Sequence, residues 1–309
     1  MRDPAGSTVT RPEPGLRRVL APNPSPMTYH GTNTYILGEG AVAVIDPGPA
    51  LPRHLDAILS VLEPGERVSH ILITHSHLDH SPLSRPLSEA TGAPILGFGT
   101  HEDGRSDVMK QLAARREIGG GEGIDTAFQP DQKITDGATI EGDGWRLDAL
   151  WTPGHIANHL CFAWGNAVFT GDHVMGWASS LISPPDGDLA AFMRSCDRLS
   201  KRSDRIYYPG HGDPVPDPGN RLSWLVAHRR EREAQILTLL SEGPTTLRDL
   251  TAQIYTGTHA ALLPAAERNM LAHIIDLSEK RIVSHTGLPG GLLSLRPSGT
   301  APSKKLTKQ

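Results

Sequence analysis

Apolar positions in the first two hundred residues come mostly in short runs closed by turn residues. After a Pro-rich lead-in, TYILG at 34–38 and AVAVIDPG at 41–48 read as strands, the second ending in a turn signal. The period then changes in LPRHLDAILSVL, where Leu55, Ile58, Leu59 and Leu62 recur on one side of a helix, ahead of a strand in HILITH. ATGAPILGFG predicts a turn and a strand, and ATIEGDGWRLDALW and HLCFAWGNAVFTG predict β segments joined by Asp-Gly-type turns. Leu189, Phe192, Met193, Cys196 and Leu199 mark a further helix, followed by RIYYPGHG, a strand running into a polar loop. Strands interspersed with covering helices predict an α/β chain of sheets sandwiched by helices.

The pattern changes after PDPGNR. Residues 224–240 form an amphipathic helical stretch, 244–254 a second short helix with Thr245 as its cap, and 260–280 a third. RIVSHTGLPGGLLSLRP then reads as two β-like runs around a turn. Three helices followed by a hairpin are the outline of a winged helix. The expected organisation is therefore a large domain over 1–220, a small winged-helix-like domain over 221–297 and a flexible tail over 298–309. GGGEG at 119–123 is a candidate mobile loop; it lacks the spacing of a phosphate-binding loop.

Composition narrows the class. At 309 residues with 38% hydrophobic and 21% charged content, the chain can bury a sizeable core and is ordinarily globular. Neither a leader-like apolar segment near the start nor a membrane-length apolar run is visible, so a cytoplasmic location without membrane contact is expected. Cys161 and Cys196 each sit in an apolar pattern and are expected as buried free thiols. From Arg221 onward there are 12 Lys or Arg against 7 Asp or Glu, a basic surplus to which Lys304, Lys305 and Lys308 of the tail contribute three. That surplus is a faint signal for a polyanionic partner and equally the mark of a solubilising tail.

The densest chemistry lies in THSHLDH, behind the apolar run ending at Ile73. His75 and His77 are two apart and point the same way if the strand continues, while Asp79 and His80 follow where the chain turns. Four such side chains exceed what one tetrahedral catalytic ion takes, and two ions sharing them need about three more ligands. His155 in WTPGH, Asp172 in AVFTGD and His211 in RIYYPGH supply them, each at the end of an apolar β-like run.

With these residues the chain resembles hydrolases of the metallo-β-lactamase superfamily. The resemblance implies an αββα sandwich, with His75, His77 and His155 holding one zinc, Asp79, His80 and His211 the other, and Asp172 bridging the two. Asp46 in VIDPG matches the aspartate that supports such a centre from behind. GTNTYILG, FQPDQKITDG, SPPDGDLAAFMRS, PGHGDPVPDP, HRREREAQIL and AAERNMLAHIIDL extend the similarity over roughly 21–297, to a lactamase-β-like branch that includes a single-strand-specific endoribonuclease. Two positions depart from that branch. Pro82 and Pro86 require the helix after the histidine cluster to start late or kink, and Asn158 stands where an acidic residue is common.

Two divalent ions about 3.5 to 4 Å apart hold a water or hydroxide between them as nucleophile. Asp79 is the candidate proton acceptor and His159 a candidate contact to substrate or leaving group. Single-stranded RNA is the first substrate expectation, and small carboxylic esters, thioesters or lactones are the alternative. A binding protein with a retired centre is a third class, which the complete ligand set opposes. ALLPAAERNMLAHIIDL offers one basic residue, Arg268, so the third C-terminal helix is expected to wall the cleft or make a homodimer contact rather than read duplex DNA.

Overall fold

The computed structural model describes residues 8–115 and 117–295, and the tail assigned to 298–309 lies outside them. The chain divides into two compact units, Met1–His228 and Arg229–Gln309.

The first unit opens with a hairpin, β1 (Thr8–Glu13) and β2 (Leu16–Leu20), where the sequence pattern suggests only an irregular lead-in. The reason is the edge position: β1 pairs on one side only and carries exposed or half-buried polar residues, so it has no run of apolar side chains to betray it. β3 (Asn33–Leu37) and β4 (Ala41–Ile45) continue antiparallel, and β5 (Arg67–Leu72), β6 (Ile95–Gly97) and β7 (Gln132–Lys133) join in parallel. Parallel neighbours need crossovers, which α1 (Pro52–Ser60), α2 (Ser84–Thr91) and α3 (Asp107–Arg115) supply. α2 starts beyond Pro82 and places Pro86 in its first turn, where a missing N–H costs nothing.

A second sheet contains β8 (Thr139–Gly142), β9 (Trp145–Trp151), β10 (Leu160–Trp164), β11 (Ala167–Gly171) and β12 (Ile206–Pro209), in the order β12-β11-β10-β9-β8. α4 (Leu189–Ser200) precedes β12, capped by Asp188 on the Ala191 N–H and burying Phe192, Cys196 and Leu199. Strand alternation sorts the side chains into two cores. Leu37, Ile45 and Leu72 meet Phe162, Phe169 and Tyr208 between the sheets, while Ile36, Val44 and Ile71 meet Ala57, Ile58 and Leu87 under the helices. The result is the αββα sandwich, with both cysteines buried and neither in a disulfide.

α5 (Pro218–Ser241) begins in the first unit and ends in the second. The second unit continues with β13 (Thr245–Thr246), α6 (Leu247–Ile254), a 3-10 turn (Ala260–Leu262), α7 (Leu263–Glu279), β14 (Val283–His285) and β15 (Leu292–Leu295). The cap of α6 is Thr246, not Thr245: its hydroxyl accepts from the Asp249 N–H at 3.1 Å, and Thr245 is paired with Leu293 of β15. α7 buries Met270, Leu271, Ile274 and Ile275. Among the described residues no helix is long and apolar enough to cross a membrane.

Candidate metal centre

The parallel and antiparallel order of the two sheets brings the ends of five strands to one edge. The segment after β4 carries Asp46, that after β5 carries His75, His77, Asp79 and His80, that after β9 His155, that after β11 Asp172, and that after β12 His211. Rigid strands thus position loop-borne side chains, the usual division of labour at functional sites.

Two groups form. His75, His77 and His155 offer one nitrogen each within 4.8 Å of one another, and Asp79, His80, Asp172 and His211 do the same with nitrogen or carboxylate oxygen. His77 Nδ1 stands 2.9 Å from both His75 Nε2 and His155 Nε2. Asp172 lies between the groups: its Oδ2 is 3.8 Å from His155 Nε2 and 3.3 Å from His211 Nε2, and its Oδ1 is 3.4 Å from His80 Nε2. Asp79 Oδ2 is 3.0 Å from His211 Nε2.

The outward ring atoms are each given an oxygen. His155 Nδ1 donates to the Leu181 carbonyl at 2.6 Å, His211 Nδ1 to the Gly31 carbonyl at 3.1 Å, and His80 Nδ1 to Asp46 Oδ2 at 2.9 Å. Thr74 Oγ1 donates to Asp46 Oδ2 at 2.7 Å and so is left to accept from His75 Nδ1 at 2.9 Å. Asp46 Oδ1 also takes the Thr74 N–H at 2.8 Å. With Nδ1 holding the hydrogen, the Nε2 atoms of these four rings face the cluster, the orientation a cation requires.

Electrostatics divide the groups. Burial, reinforced by neighbouring imidazoles, holds His75 well below the usual histidine range, and burial with His155 beside it lowers His77 to about 3. Burial lowers His155 as well. In the other group burial opposes charge but the carboxylates outweigh it: Asp79, Asp172 and Asp46 raise His80 well above the usual value, and Asp172 with Asp79 raises His211 to about 9. Conversely, His211 and His80 hold Asp172 well below the usual carboxylate range against the cost of its burial. One half therefore favours neutral nitrogens, while the other sets two carboxylates against two imidazoles, so that a cation bound there takes the place of the protons those carboxylates attract. Three converging lone pairs and two carboxylates without a lysine or arginine among them fit divalent cations.

His159 is the sequence candidate that the structure moves. It is fully buried, with Nδ1 2.9 Å from Thr152 Oγ1 and its ring 5.1 Å from that of His75, so it supports His75 from behind instead of reaching the open side. Asn158 is also internal, donating to Ser76 Oγ at 2.9 Å and the Gly99 carbonyl at 3.0 Å, which ties the third-histidine loop to the first histidine segment without charge. Ser180 braces the Asp172 turn by donating to the Asp172 carbonyl at 2.6 Å. The GGGEG loop is fastened beside the centre: the Gly121 N–H donates to Asp186 Oδ2 at 2.7 Å and the Gly123 carbonyl accepts from the Leu78 N–H at 2.8 Å.

Comparison with known proteins agrees with this geometry. Residues 27–211 match the metallo-beta-lactamase superfamily model, and residues 246–291 match the beta-lactamase associated winged helix domain. The chain belongs to the metallo-beta-lactamase superfamily. Among relatives of this superfamily, an atrochrysone carboxyl ACP thioesterase of Aspergillus fumigatus is 31% identical over 85% of this chain and 76% of its own. A beta-lactamase-like protein 2 homolog of Caenorhabditis elegans is 29% identical over 87% of this chain and 86% of its own. A metallo-beta-lactamase family protein of Thermus thermophilus superposes with a TM-score of 0.74 at 28% identity, covering 92% of this chain and 99% of that one. Sandwich, winged helix and clustered ligands together make the protein a hydrolase of this superfamily.

Proposed function

We propose that the protein is a dinuclear zinc hydrolase whose substrates are carboxylic thioesters and related esters. The observation that carries the substrate class is the rim of the centre, which exposes large apolar side chains. Leu78, between His77 and Asp79, is 53% exposed, and Met27, Tyr29 and Trp177, on the loops flanking His211, are 46%, 43% and 36% exposed. Two arginines of the flanking elements are neutralised, Arg105 by Asp186 and Arg18 by Asp213, while Arg221 and Arg53 are turned onto main-chain carbonyls and make no continuous basic stripe with them. An RNA chain needs a basic track, whereas an acyl thioester does not. The relatives named as thioesterases support the same choice.

Bound zinc supplies Lewis acidity, lowering the pKa of water and polarising the substrate carbonyl. The remaining work falls to the chain. The Asp172 carboxylate holds both ligand groups in one frame, and Asp46 fixes the His80 ring. Asp79, with 26% of its side chain exposed, is the partly open acid of the cluster, and in this reading it takes the proton released from attacking water. A thiol leaving group, with a pKa of about 8.5, departs as thiolate without a general acid, which suits a centre whose extra histidine is buried behind it.

The zinc-loaded protein is expected to hydrolyse an acyl N-acetylcysteamine thioester with little sensitivity to salt, and to leave unstructured RNA intact. RNA cleavage that disappears in His77→Ala, with no thioester turned over, would reverse the assignment. Asp46→Asn keeps a side chain that tolerates the left-handed backbone at φ +50° but removes the anionic acceptor of His80. Its zinc affinity, read by chelator competition, is expected to fall about 10- to 100-fold; retention at the wild-type level would show that Asp46 does not position the ligand.

A further inference from the structure

Two of the rim side chains form a constructed feature rather than a scatter of exposed carbon. Tyr29 and Trp177 stack with ring centroids 4.9 Å apart and planes 15° from parallel, although 148 positions separate them and both are substantially exposed. Each is joined to the centre through His211. The Gly31 carbonyl of the Tyr29 loop accepts from His211 Nδ1, Thr32 bridges His211, and a Cβ on Gly212 would lie 2.7 Å from Trp177 Cδ1.

The Tyr29 loop is held in place by its own side chains. Asn23 Oδ1 accepts from the Thr32 N–H at 2.9 Å, Asn23 Nδ2 donates to Thr32 Oγ1 at 3.0 Å, and Ser25 Oγ accepts from the Met27 and Thr28 N–H groups at 3.1 Å. This bracing keeps Tyr29 at φ +56°, a left-handed backbone that a bulky side chain rarely adopts. Core burial does not demand that conformation, since the ring it presents is 43% exposed. Its visible result is a flat aromatic surface beside the ligand cluster. Behind Trp177, Arg221 clamps the carbonyls of Met175 and Ala178, so the second half of the surface is fastened as well.

We propose that Tyr29 and Trp177 form a subsite for a planar, apolar acyl group, so that the protein prefers aryl over short aliphatic acyl substrates. The inference rests on the thioesterase reading for the reacting bond, but the subsite itself is a binding property. An exposed aromatic surface at the edge of the centre, with the His30 ring 3.8 Å from that of Tyr29, gains by covering its rings with another flat apolar group. In an aryl thioester the flat apolar group is the acyl ring, joined to the reacting carbonyl by a single bond, whereas a thiol arm begins as a flexible chain, so the acyl half is the one whose shape matches this surface.

The test uses full-length zinc protein and two non-hydrolysable ketones in which CH2 replaces the thioester sulfur, one with a 2-naphthyl and one with a methyl acyl group, on the same N-acetylated arm. Wild-type protein is expected to bind the naphthyl ketone about tenfold or more tightly than the methyl ketone. In Tyr29→Gly and Trp177→Ala this ratio is expected to fall to about threefold or less. Tyr29→Gly removes the ring while relieving the backbone, so a folded variant is available even if Trp177→Ala is unstable. Equal binding of the two ketones by wild type, or an unchanged ratio in folded Tyr29→Gly, overturns the subsite. A preserved naphthyl preference with no thioester hydrolysis leaves the subsite standing and removes the thioesterase reading.

Discussion

Asp172→Ala is expected to lower kcat/KM for a thioester by at least about 10³-fold and to reduce zinc content in both halves of the centre together. Asp172 Oδ2 faces His155 on one side and His211 on the other, at 3.8 and 3.3 Å, and Oδ1 faces His80. Removing this carboxylate takes an anionic ligand from each group at once and leaves His80 and His211 with less counter-charge. His77→Ala removes a nitrogen from the three-histidine group alone. Zinc stoichiometry by elemental analysis separates the two variants: Asp172→Ala should hold well under one ion, and His77→Ala close to one. Two firmly held ions in Asp172→Ala would show that this side chain is not shared.

The ligand set is readable because chemistry and position coincide. Four metal-capable side chains between His75 and His80 leave few alternative explanations, and His155, Asp172 and His211 recur after glycine at strand ends. The groups that aim those ligands are harder to see. Gly31 and Leu181 act through main-chain carbonyls, which every residue possesses, so nothing in their identity marks them. Thr74 is visible only once Asp46 is seen to approach it across 28 positions. His159 has the residue type of a catalytic group but sits at a depth that spacing alone does not give.

Fold legibility follows the same physics. Central strands such as β4 and β11 bury every residue and read as apolar runs, whereas edge strand β1 has mixed side chains and is lost in the Pro-rich lead-in. Thr245 and Thr246 are equivalent as caps in sequence. The strand pairs Thr245 with Leu293 and Thr246 with Leu292 decide where the helix begins. The Tyr29–Trp177 stack depends on two loops meeting, and no local pattern announces it.

Gly210→Ala is expected to cut kcat/KM about 10²-fold without altering any ligand. A Cβ at Gly210 would lie 2.5 Å from Asp172 Oδ1 and 2.6 Å from His80 Cε1, closer than side-chain atoms approach carbon. Gly210 N–H also donates to the Gly171 carbonyl at 2.8 Å and its own carbonyl accepts from the Asn33 N–H at 2.7 Å, so the main chain is held from both sides and cannot simply retreat. Displacement therefore falls on the Asp172 carboxylate or the His80 ring. Relieving such contacts moves one of them by more than the tolerance of about 0.5 Å for a productive site. Overpacking by one methyl costs stability about 1–3 kcal/mol, which an otherwise intact sandwich survives, so the folded variant remains measurable. The expected signature is a weaker zinc ion on the His80 side, a three-histidine ion that weakens with it if Asp172 is the group that yields, and a melting temperature lowered by several degrees. Wild-type kcat/KM with two ions of undiminished affinity would mean that the glycine is not required by the approach of Asp172 and His80.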